Sequence, residues 1–402
     1  MNTTPAGTLG NHPSINSRQL TTEVILDCRD ISFLREAWDR LYLASDNEPS
    51  TSFEWTQAMT RHHLEPSDRF FLIRIKRGRE VVLLAPLVAR AEKYAGLRVV
   101  KLFPISELYR THSDLLRSEL DEPIVDAFLS ALLRLDCRWD LFSMTKVLEE
   151  NPLLSYFQAC LRERRILYRQ RYENGAFFVR LPPSFDEYLA GRTGKFRNNL
   201  KRINRRMQEA GALRVQKLAD ADGFDKAYDA LLQIERNSWK HLHGTAISAV
   251  GLQAGFYRDM SKAALGMHRM WLQLVWLDEL PIAYEMGYLG DGHYYGLKCS
   301  FDERYKALSP ATFLRARLIE QLIESGIPRY DFHGEPYEWE RKWTEDMRWH
   351  RSVLVYNKTF KARLIALYSK LKQMRNGGNA DPRLAYCDAR SLKSPGKSTV
   401  DK

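Results

Sequence analysis

Residues 281–314 read PIAYEMGYLGDGHYYGLKCSFDERYKALSPATFL, and this stretch decides how the second half of the chain folds. Apolar residues recur with strand-like spacing over 282–289 and 293–301, which predicts two strands. Asp291-Gly292 between them is typical of a tight hairpin turn. Ser309-Pro310 then predicts the start of a helix, because Ser is a good N-cap and Pro suits the first helical position.

Working outward, the same order of elements occurs twice. A strand at 270–277 precedes the hairpin and a short strand at 329–333 follows the helix. The first half of the chain repeats this pattern with strands at 70–76, 81–90 and 99–103, a helix at 123–135 and a strand at 140–144. Two passes of this kind predict an α+β chain built from two related domains, each a largely antiparallel sheet flanked by helices.

The two ends of the chain differ in composition from the middle. Residues 1–19 are polar and lack periodicity, and 372–402 are polar, basic and interrupted by Gly and Pro, so both are expected to be disordered, as an arm and a tail. We therefore predict an N-terminal domain over 20–178 and a C-terminal domain over 179–371. A length of 402 residues with 44% hydrophobic and 28% charged residues fits two folded domains of this size.

Several classes of protein are disfavoured. The apolar run at 81–89 is far shorter than the roughly 20 residues of a membrane helix, and no apolar leader is present, so we expect no transmembrane segment and a cytoplasmic location. The five cysteines are scattered without a CxxC pair, and the ten histidines show no ligand spacing. No metal is therefore expected.

Positive charge is concentrated in one segment of this chain, whose formal net charge is +11. Residues 191–217 hold nine Lys or Arg and one acid, and within them Phe196, Leu200, Ile203 and Met207 form one stripe of an amphipathic helix. Basic side chains off that stripe face either plain solvent or a phosphate or polyanion. No DNA-binding signature accompanies them, which disfavours sequence-specific DNA binding.

Several segments together resemble the CelD-like GNAT acetyltransferases associated with bacterial polysaccharide synthesis. In the second half these are residues 281–314, GIPRYDFHGEPYEWERKWT at 326–344, GKFRNNLKRINRRMQEAG at 194–211 and IERNSWKHLHGTAIS at 234–248; in the first half they are PSTSFEWTQAM at 49–59, FLIRIKRGREVVLLAPLVAR at 71–90 and VVKLFPISELYRTHSDLL at 99–116. The resemblance spans about residues 25–360 and rests on the order of the motifs. Such proteins are built as two tandem GNAT-like domains, similar to the Fem-type enzymes of peptidoglycan synthesis.

The resemblance implies acyl-CoA, such as acetyl-CoA, as the donor. Its pyrophosphate would bind at the helix start, because free backbone amides and the positive helix end attract anions. The residues implied there are Tyr305, Ser309, Ala311 and Thr312. Ala311 stands where the family commonly has Gly, and the usual phosphate loop of GNAT enzymes is absent.

Candidate catalytic residues follow the helix or lie on the middle strand. Asp331 suits a base or an orienting carboxylate, Tyr337 an acid, and Glu285 a second candidate base. Asp331 also suits a helix or turn cap and Tyr337 an ordinary buried ring, while alternation along the strand leaves the face of Glu285 undecided. Candidate substrate-binding residues are the basic, aromatic and histidine side chains nearby, namely Arg197, Lys201, Trp239, His241 and Lys342.

The first interpretation is an N- or O-acyltransferase acting on a saccharide or cell-envelope acceptor. The enzyme alternative is a Fem-like aminoacyl or peptidyl transferase that draws on charged tRNA, with the basic helix as the RNA contact. A third hypothesis is a non-catalytic partner in a polysaccharide-synthesis complex.

Overall fold

The computed structural model describes residues 19–45, 48–109, 112–218 and 220–375. In the first half the elements are β1 Leu20–Leu26, α1 Arg35–Ala44, α2 Phe53–His62, β2 Arg69–Arg77, β3 Glu80–Tyr94, β4 Leu97–Pro104, β5 Leu116–Arg117, α3 Glu122–Arg134, β6 Leu141–Leu148, α4 Leu153–Glu163 and β7 Tyr168–Arg180. In the second half they are α5 Phe185–Ala190, α6 Gly194–Glu209, β8 Leu213–Lys217, α7 Phe224–Arg236, α8 Trp239–Leu242, α9 Gln253–Gly266, β9 Met270–Leu277, β10 Leu280–Gly290, β11 His293–Phe301, α10 Pro310–Glu324, β12 Arg329–Asp331, β13 Met347–Tyr356 and α11 Phe360–Arg375.

One mixed sheet runs through the described chain in the order β1-β2-β3-β4-β6-β13-β7-β12-β11-β10-β9-β8, with β5 paired to β3. Each half contributes an antiparallel run that ends in a parallel pair, β4 with β6 in the first half and β11 with β12 in the second. Helices cover both faces of the sheet. The predicted α+β class with repeated halves and a mixed, helix-flanked sheet is confirmed.

Two strands exchange between the halves. β7 follows the first half but pairs with β12 of the second, and β13 comes from the end of the chain but pairs with β6 of the first. β7 and β13 also pair with each other. The expected boundary between residues 178 and 179 falls inside β7, so the division into two domains stays a prediction.

The ends of the chain bear on two other expectations. The arm expected over 1–19 lies outside the described residues except for Gln19. The first four residues of the tail expected from Lys372 belong to α11, which ends at Arg375, so they are helical; the rest of the tail lies outside the described residues. Within the described ranges, no helix combines the length and the apolar character needed to cross a membrane.

One hydrophobic core is shared by both halves. It contains helices α1 and α2 of the first half together with α7 and α9 of the second, packed on one face of the sheet. Trp55 of α2 meets Phe256 of α9 edge to face, with ring centroids 5.1 Å apart. On the opposite face each half has its own core, under α3 and α4 in the first half and under α5, α6 and α10 in the second. The shared core ties the halves into one structure.

Candidate active site

The edge of β11 that faces β12 is largely unpaired. The two parallel strands meet only at Tyr294 with Tyr330 and at Tyr295 with Asp331, after which β11 continues alone on that side. Because the Asp302 amide bonds to the Ile282 carbonyl of β10, alternation along the antiparallel ladder turns the backbone groups of Cys299 toward the open edge. The Cys299 carbonyl on this edge accepts from Lys240, so the backbone group that the edge offers to another extended chain or ligand is the Cys299 amide.

A lysine borders that open edge. Lys240 Nζ donates to the Cys299 carbonyl at 2.6 Å and lies 3.3 Å from the buried carboxylate of Glu235. Glu235 also accepts from the Tyr284 hydroxyl at 2.5 Å and from the Ile247 amide. These contacts fix Lys240 against β11.

The ion pair of Glu235 with Lys240 gives the ERNSWK segment a structural role that the sequence alone did not indicate. Glu235 and Lys240 are the first and last residues of the ERNSWK segment, and both lie beside β11. The predicted ligand-binding residues between and after them, Trp239 and His241, lie on α8: Trp239 packs edge to face on His243, while His241 is exposed. The nearby Lys298 side chain loses hydration beside Lys240, which lowers the pKa of Lys298 to about 8.

Helix α10 begins shortly after β11, as predicted, with Pro310 in its first turn. Ser309 holds the N-cap position in a left-handed conformation with φ +59°, and its side chain caps no amide, so the expected side-chain cap is wrong. The amides of Thr312 and Phe313 bond to the Ser309 carbonyl. Pro310 has no amide hydrogen, so Ala311 supplies the remaining donor of this turn. One amide is a weak anion site by itself.

A lysine adds charge to this helix start. Lys342 Nζ lies 3.3 Å from Thr312 Oγ1, so the structure brings together residues that the sequence suggested separately for acceptor and donor. Lost hydration, helped by the positive charge of Arg315, lowers the pKa of Lys342 to about 8. Tyr305 lies half-buried in the 3-10 turn at Glu303–Leu308 that leads to the helix.

The segment after β12 carries two groups suited to proton transfer. Tyr337 is partly buried and stacks on Trp339 with ring centroids 6.3 Å apart, and burial raises the pKa of Tyr337. Glu340, which sequence reasoning missed, is 3% exposed, and its Oε2 accepts from the Tyr337 amide at 3.0 Å. Burial raises the pKa of Glu340 to about 8. A carboxyl with such a pKa exchanges a proton near neutral pH.

Glu285, the other candidate base, is enclosed. Its carboxylate is 2% exposed and lies 3.2 Å from the guanidinium of Arg315. It also accepts from the Tyr330 hydroxyl. Arg315 in turn lies 4.2 Å from the ring centroid of Trp339. These contacts favour a structural role for Glu285, which holds α10 on the sheet.

Asp331, the first candidate base, belongs to a buried cluster between the two halves. It is fully buried, and its Oδ2 lies 2.7 Å from Arg348 Nε. Arg348 Nη1 lies 2.9 Å from Glu48, which contacts His112 at 3.2 Å. His333 lies 3.7 Å from the same carboxylate. The pKa of Glu48 lies well below its ordinary range, because the charges of Arg348 and His112 outweigh its burial.

Three side chains of this cluster are of types that bind metal ions. Ligand atoms of Glu48, His112 and His333 all lie within 4.8 Å of one another, a combination that transition metals accept. Arg348 already occupies one oxygen of Glu48, and its positive charge opposes a cation there. Sequence spacing could not reveal this set, because its members are far apart in the chain.

Helix α6 forms one wall of the groove that carries the predicted basic residues. Phe196, Ile203 and Met207 are buried as the stripe predicted. A groove of about 610 Å³ separates α6 from α10 and α5, with Arg197, Lys201 and Arg317 at its rim. Its apolar lining comes from Phe185, Leu189, Leu200, Phe313 and Ala316. Asp186 and Glu320 also line the groove, and Glu320 pairs with Arg317 at 2.8 Å, so the unmatched positive charge comes from Arg197 and Lys201.

In the first half the parallel strands β4 and β6 separate in the same way, but a side chain occupies the gap between them. β4 and β6 pair only at Lys101 with Leu141 and at Leu102 with Phe142. Glu107 then bonds to the Thr145 amide at 2.7 Å and to the Ser143 hydroxyl at 2.9 Å. The open edge therefore belongs to the second half.

Comparisons with known proteins give a family match within the second half of the chain. Residues 194–341 match the acetyltransferase (GNAT) domain family. No curated protein matches the chain. Among solved structures, FemX superposes with a TM-score of 0.57 at 11% identity over 86% of this chain and 100% of FemX.

Two other solved structures have similar folds. One is a conserved protein of unknown function from Bacteroides thetaiotaomicron VPI-5482, with a TM-score of 0.51 at 10% identity over 82% of this chain and 99% of that chain. The other is the C-terminal DUF2156 domain of an Agrobacterium fabrum protein that carries the name of a lysylphosphatidylglycerol synthetase, with a TM-score of 0.52 at 13% identity over 83% and 94%. At these identities the likeness concerns the fold alone.

Proposed function

We propose, from the premise that residues 194–341 form a GNAT domain, that the protein transfers an acyl group from acyl-CoA to an amine or hydroxyl. The observation that carries this is the open edge of β11 beside the start of α10. The amide groups of the donor's pantetheine arm would pair with Cys299, and its pyrophosphate would meet the Ala311 amide and Lys342. Lys342 supplies the charge that the single free amide lacks.

The reaction needs two proton transfers. The acceptor's nitrogen or oxygen attacks the thioester carbonyl and loses a proton, the carbon–sulfur bond breaks, and the thiolate of CoA takes up a proton. We assign the first transfer to the ionised form of Glu340, whose raised pKa makes it a stronger base than an exposed carboxylate. Tyr337 stays protonated because its pKa is raised, and its hydroxyl suits protonation of the thiolate. Asp331 then serves to position this segment.

The proposed acceptor is a saccharide or another cell-envelope intermediate. The resemblance to CelD-like enzymes supports it, and the groove between α6 and α10 supports an acceptor that carries negative charge. Arg197 and Lys201 at the groove rim would contact that charge. Whether nitrogen or oxygen is acylated depends on the acceptor.

A Fem-like transferase using aminoacyl-tRNA is the second candidate. It is favoured by the basic outer face of α6, where Lys195, Lys201 and Arg202 are exposed. A long polyanion would bind this face with steep dependence on salt. A non-catalytic partner in polysaccharide synthesis is the third candidate, and it predicts binding of neither donor.

Calorimetric titration with acetyl-CoA and with aminoacyl-tRNA separates these candidates. We expect acetyl-CoA to bind wild type, and Lys342→Met to weaken that binding by tenfold or more. Lys93→Met, an exposed lysine in the first half, is the matched control and should bind as wild type does. Binding of aminoacyl-tRNA alone would transfer the proposal to the Fem-like reaction, and binding of neither would leave the non-catalytic role.

A further inference from the structure

Within the described part of the chain, helix α11 has two apolar faces, and only one of them is covered. Its inner face packs on the sheet through Ala362 and Ile365, which are at most 1% exposed, with Ser369 also buried. Its outer face exposes six large apolar side chains. Their exposed fractions are 75% for Phe360, 41% for Leu364, 56% for Leu367, 53% for Tyr368, 56% for Leu371 and 73% for Met374.

These six side chains form a continuous stripe. At 3.6 residues per turn they fall within an arc of about 120° on the side of α11 opposite Ala362 and Ser369. A stripe of this kind is not an ordinary scatter of surface residues, because contiguous exposed apolar patches mark interaction sites. The helix therefore presents a surface that requires a partner.

Positive charge borders the stripe on both sides. On the same helical projection Lys361 and Lys372 flank one side, and Arg363 and Lys370 flank the other. Residues 360–375 contain no Asp or Glu. The partner must therefore combine negative charge with an apolar interior.

A second copy of this chain meets only half of that requirement. Its α11 would cover the leucines but would bring an equal, acid-free positive charge against the first. Lipid headgroups with negative charge satisfy both conditions, because lysine and arginine stems reach up to phosphates while leucine and phenylalanine enter the acyl region.

We propose that α11 is an interfacial helix that lies on an anionic lipid surface without crossing it. The apolar stripe enters the boundary between headgroups and acyl chains, and the flanking lysines and arginines contact lipid phosphates. This inference is independent of the proposed acyl transfer. It would hold the protein at a membrane, where lipid-linked acceptors are found.

Cosedimentation of the full chain with vesicles tests this inference. We expect binding to vesicles of phosphatidylcholine with phosphatidylglycerol, and at least tenfold weaker binding to phosphatidylcholine alone. Leu367→Gln with Leu371→Gln keeps every charge and should lower the affinity for anionic vesicles by at least tenfold. The matched control is Leu43→Gln with Leu167→Gln, two leucines that are 70% and 57% exposed elsewhere and should leave binding unchanged.

A second variant tests the charge separately. Lys370→Gln with Lys372→Gln keeps the stripe and should weaken binding to anionic vesicles, leaving a smaller dependence on salt. The proposal would be overturned if wild type did not bind anionic vesicles. It would also be overturned if the variant with Leu367→Gln and Leu371→Gln bound them as wild type does. A wild-type dimer in light scattering that the leucine variant turns into a monomer would overturn it too, because the stripe would then join two copies.

Discussion

At the residue scale, the guanidinium of Arg348 neutralises two buried carboxylates. It lies between two buried carboxylates, Glu48 and Asp331, which come from opposite halves of the chain. The sequence made Asp331 a candidate base, but it could not indicate this partner, because Arg348 enters from β13, a strand that the sequence pattern did not predict. A buried carboxylate held this way positions its neighbours.

Arg348→Met should lower the free energy of unfolding by about 3–5 kcal/mol, because two carboxylates would remain buried without their counter-charge. Arg180→Met is the control: its side chain is 77% exposed in its pair with Asp346, and the expected loss is about 0–1 kcal/mol. Urea denaturation measures both. Equal losses in the two variants would mean that Arg348 does not neutralise the buried pair.

Glu340 gives a second prediction at this scale, from its pKa of about 8 in the folded protein against an ordinary value of 4.5. Between these two values the folded state retains a proton that the unfolded state releases, so wild-type stability should fall as pH rises from about 4.5 to 8. Glu340→Gln should remove this part of the slope, at most about 1.4 kcal/mol per pH unit. Chemical denaturation of both proteins across this range measures it, and identical slopes would contradict the raised pKa.

The catalytic assignment of Glu340 has a separate test. If its ionised form accepts the acceptor's proton, wild-type activity should rise with pH through a midpoint near 8, and Glu340→Gln should lose that rise and about a hundredfold or more in rate. The assay is release of CoA over a pH series. If the variant kept the wild-type rise of activity with pH, Glu340 would have only a structural role, in which it accepts from the Tyr337 amide. Tyr337 was visible in the sequence as a candidate, whereas Glu340 was not, because its burial depends on the fold.

At the element scale, the hairpin of β10 and β11 shows what the pattern could predict. Asp291 and Gly292 both have positive φ, at 49° and 66°, as the predicted tight turn requires. The Ser309-Pro310 pair also placed the start of α10, because local chemistry determines both features. The exchange of β7 and β13 could not be predicted, since the partner of a strand depends on distant residues.

Gly287 of β10 tests the packing of this hairpin. A Cβ there would lie 2.1 Å from Cζ of the buried Tyr294, so Gly287→Ala should force a shift and cost about 1–3 kcal/mol or more. Gly292→Ala meets no atom within 4 Å but keeps a positive φ, and should cost about 1 kcal/mol. Thermal denaturation compares them. A larger loss at Gly292 would mean that the β10–β11 contact is looser than described.

At the scale of the whole molecule, the repeated halves are not independent. They share one sheet, one face of the core and two exchanged strands. The sequence indicated the repeat because each half has its own run of strands and helix. It could not indicate the shared core, because α9 has no clear single-sided pattern and meets α2 from the other half.

The shared core predicts one cooperative unfolding transition for the described part of the chain. Circular dichroism and tryptophan fluorescence should give coincident denaturant curves, because neither half keeps its buried surface without the other. Two separated transitions would indicate that the halves are stable alone and that the exchanged strands contribute little.

We propose that acyl-CoA occupies the open edge of β11. Hydrogen–deuterium exchange of the full chain with and without acetyl-CoA measures this directly, by comparing peptides over residues 296–301 with peptides over the corresponding strand β4. We predict that acetyl-CoA slows exchange over 296–301 and at the start of α10, and leaves β4 unchanged, because Glu107, bonded to Thr145 and Ser143 of β6, already occupies the gap where β4 and β6 part. Unchanged exchange over 296–301 at saturating acetyl-CoA would contradict the claim.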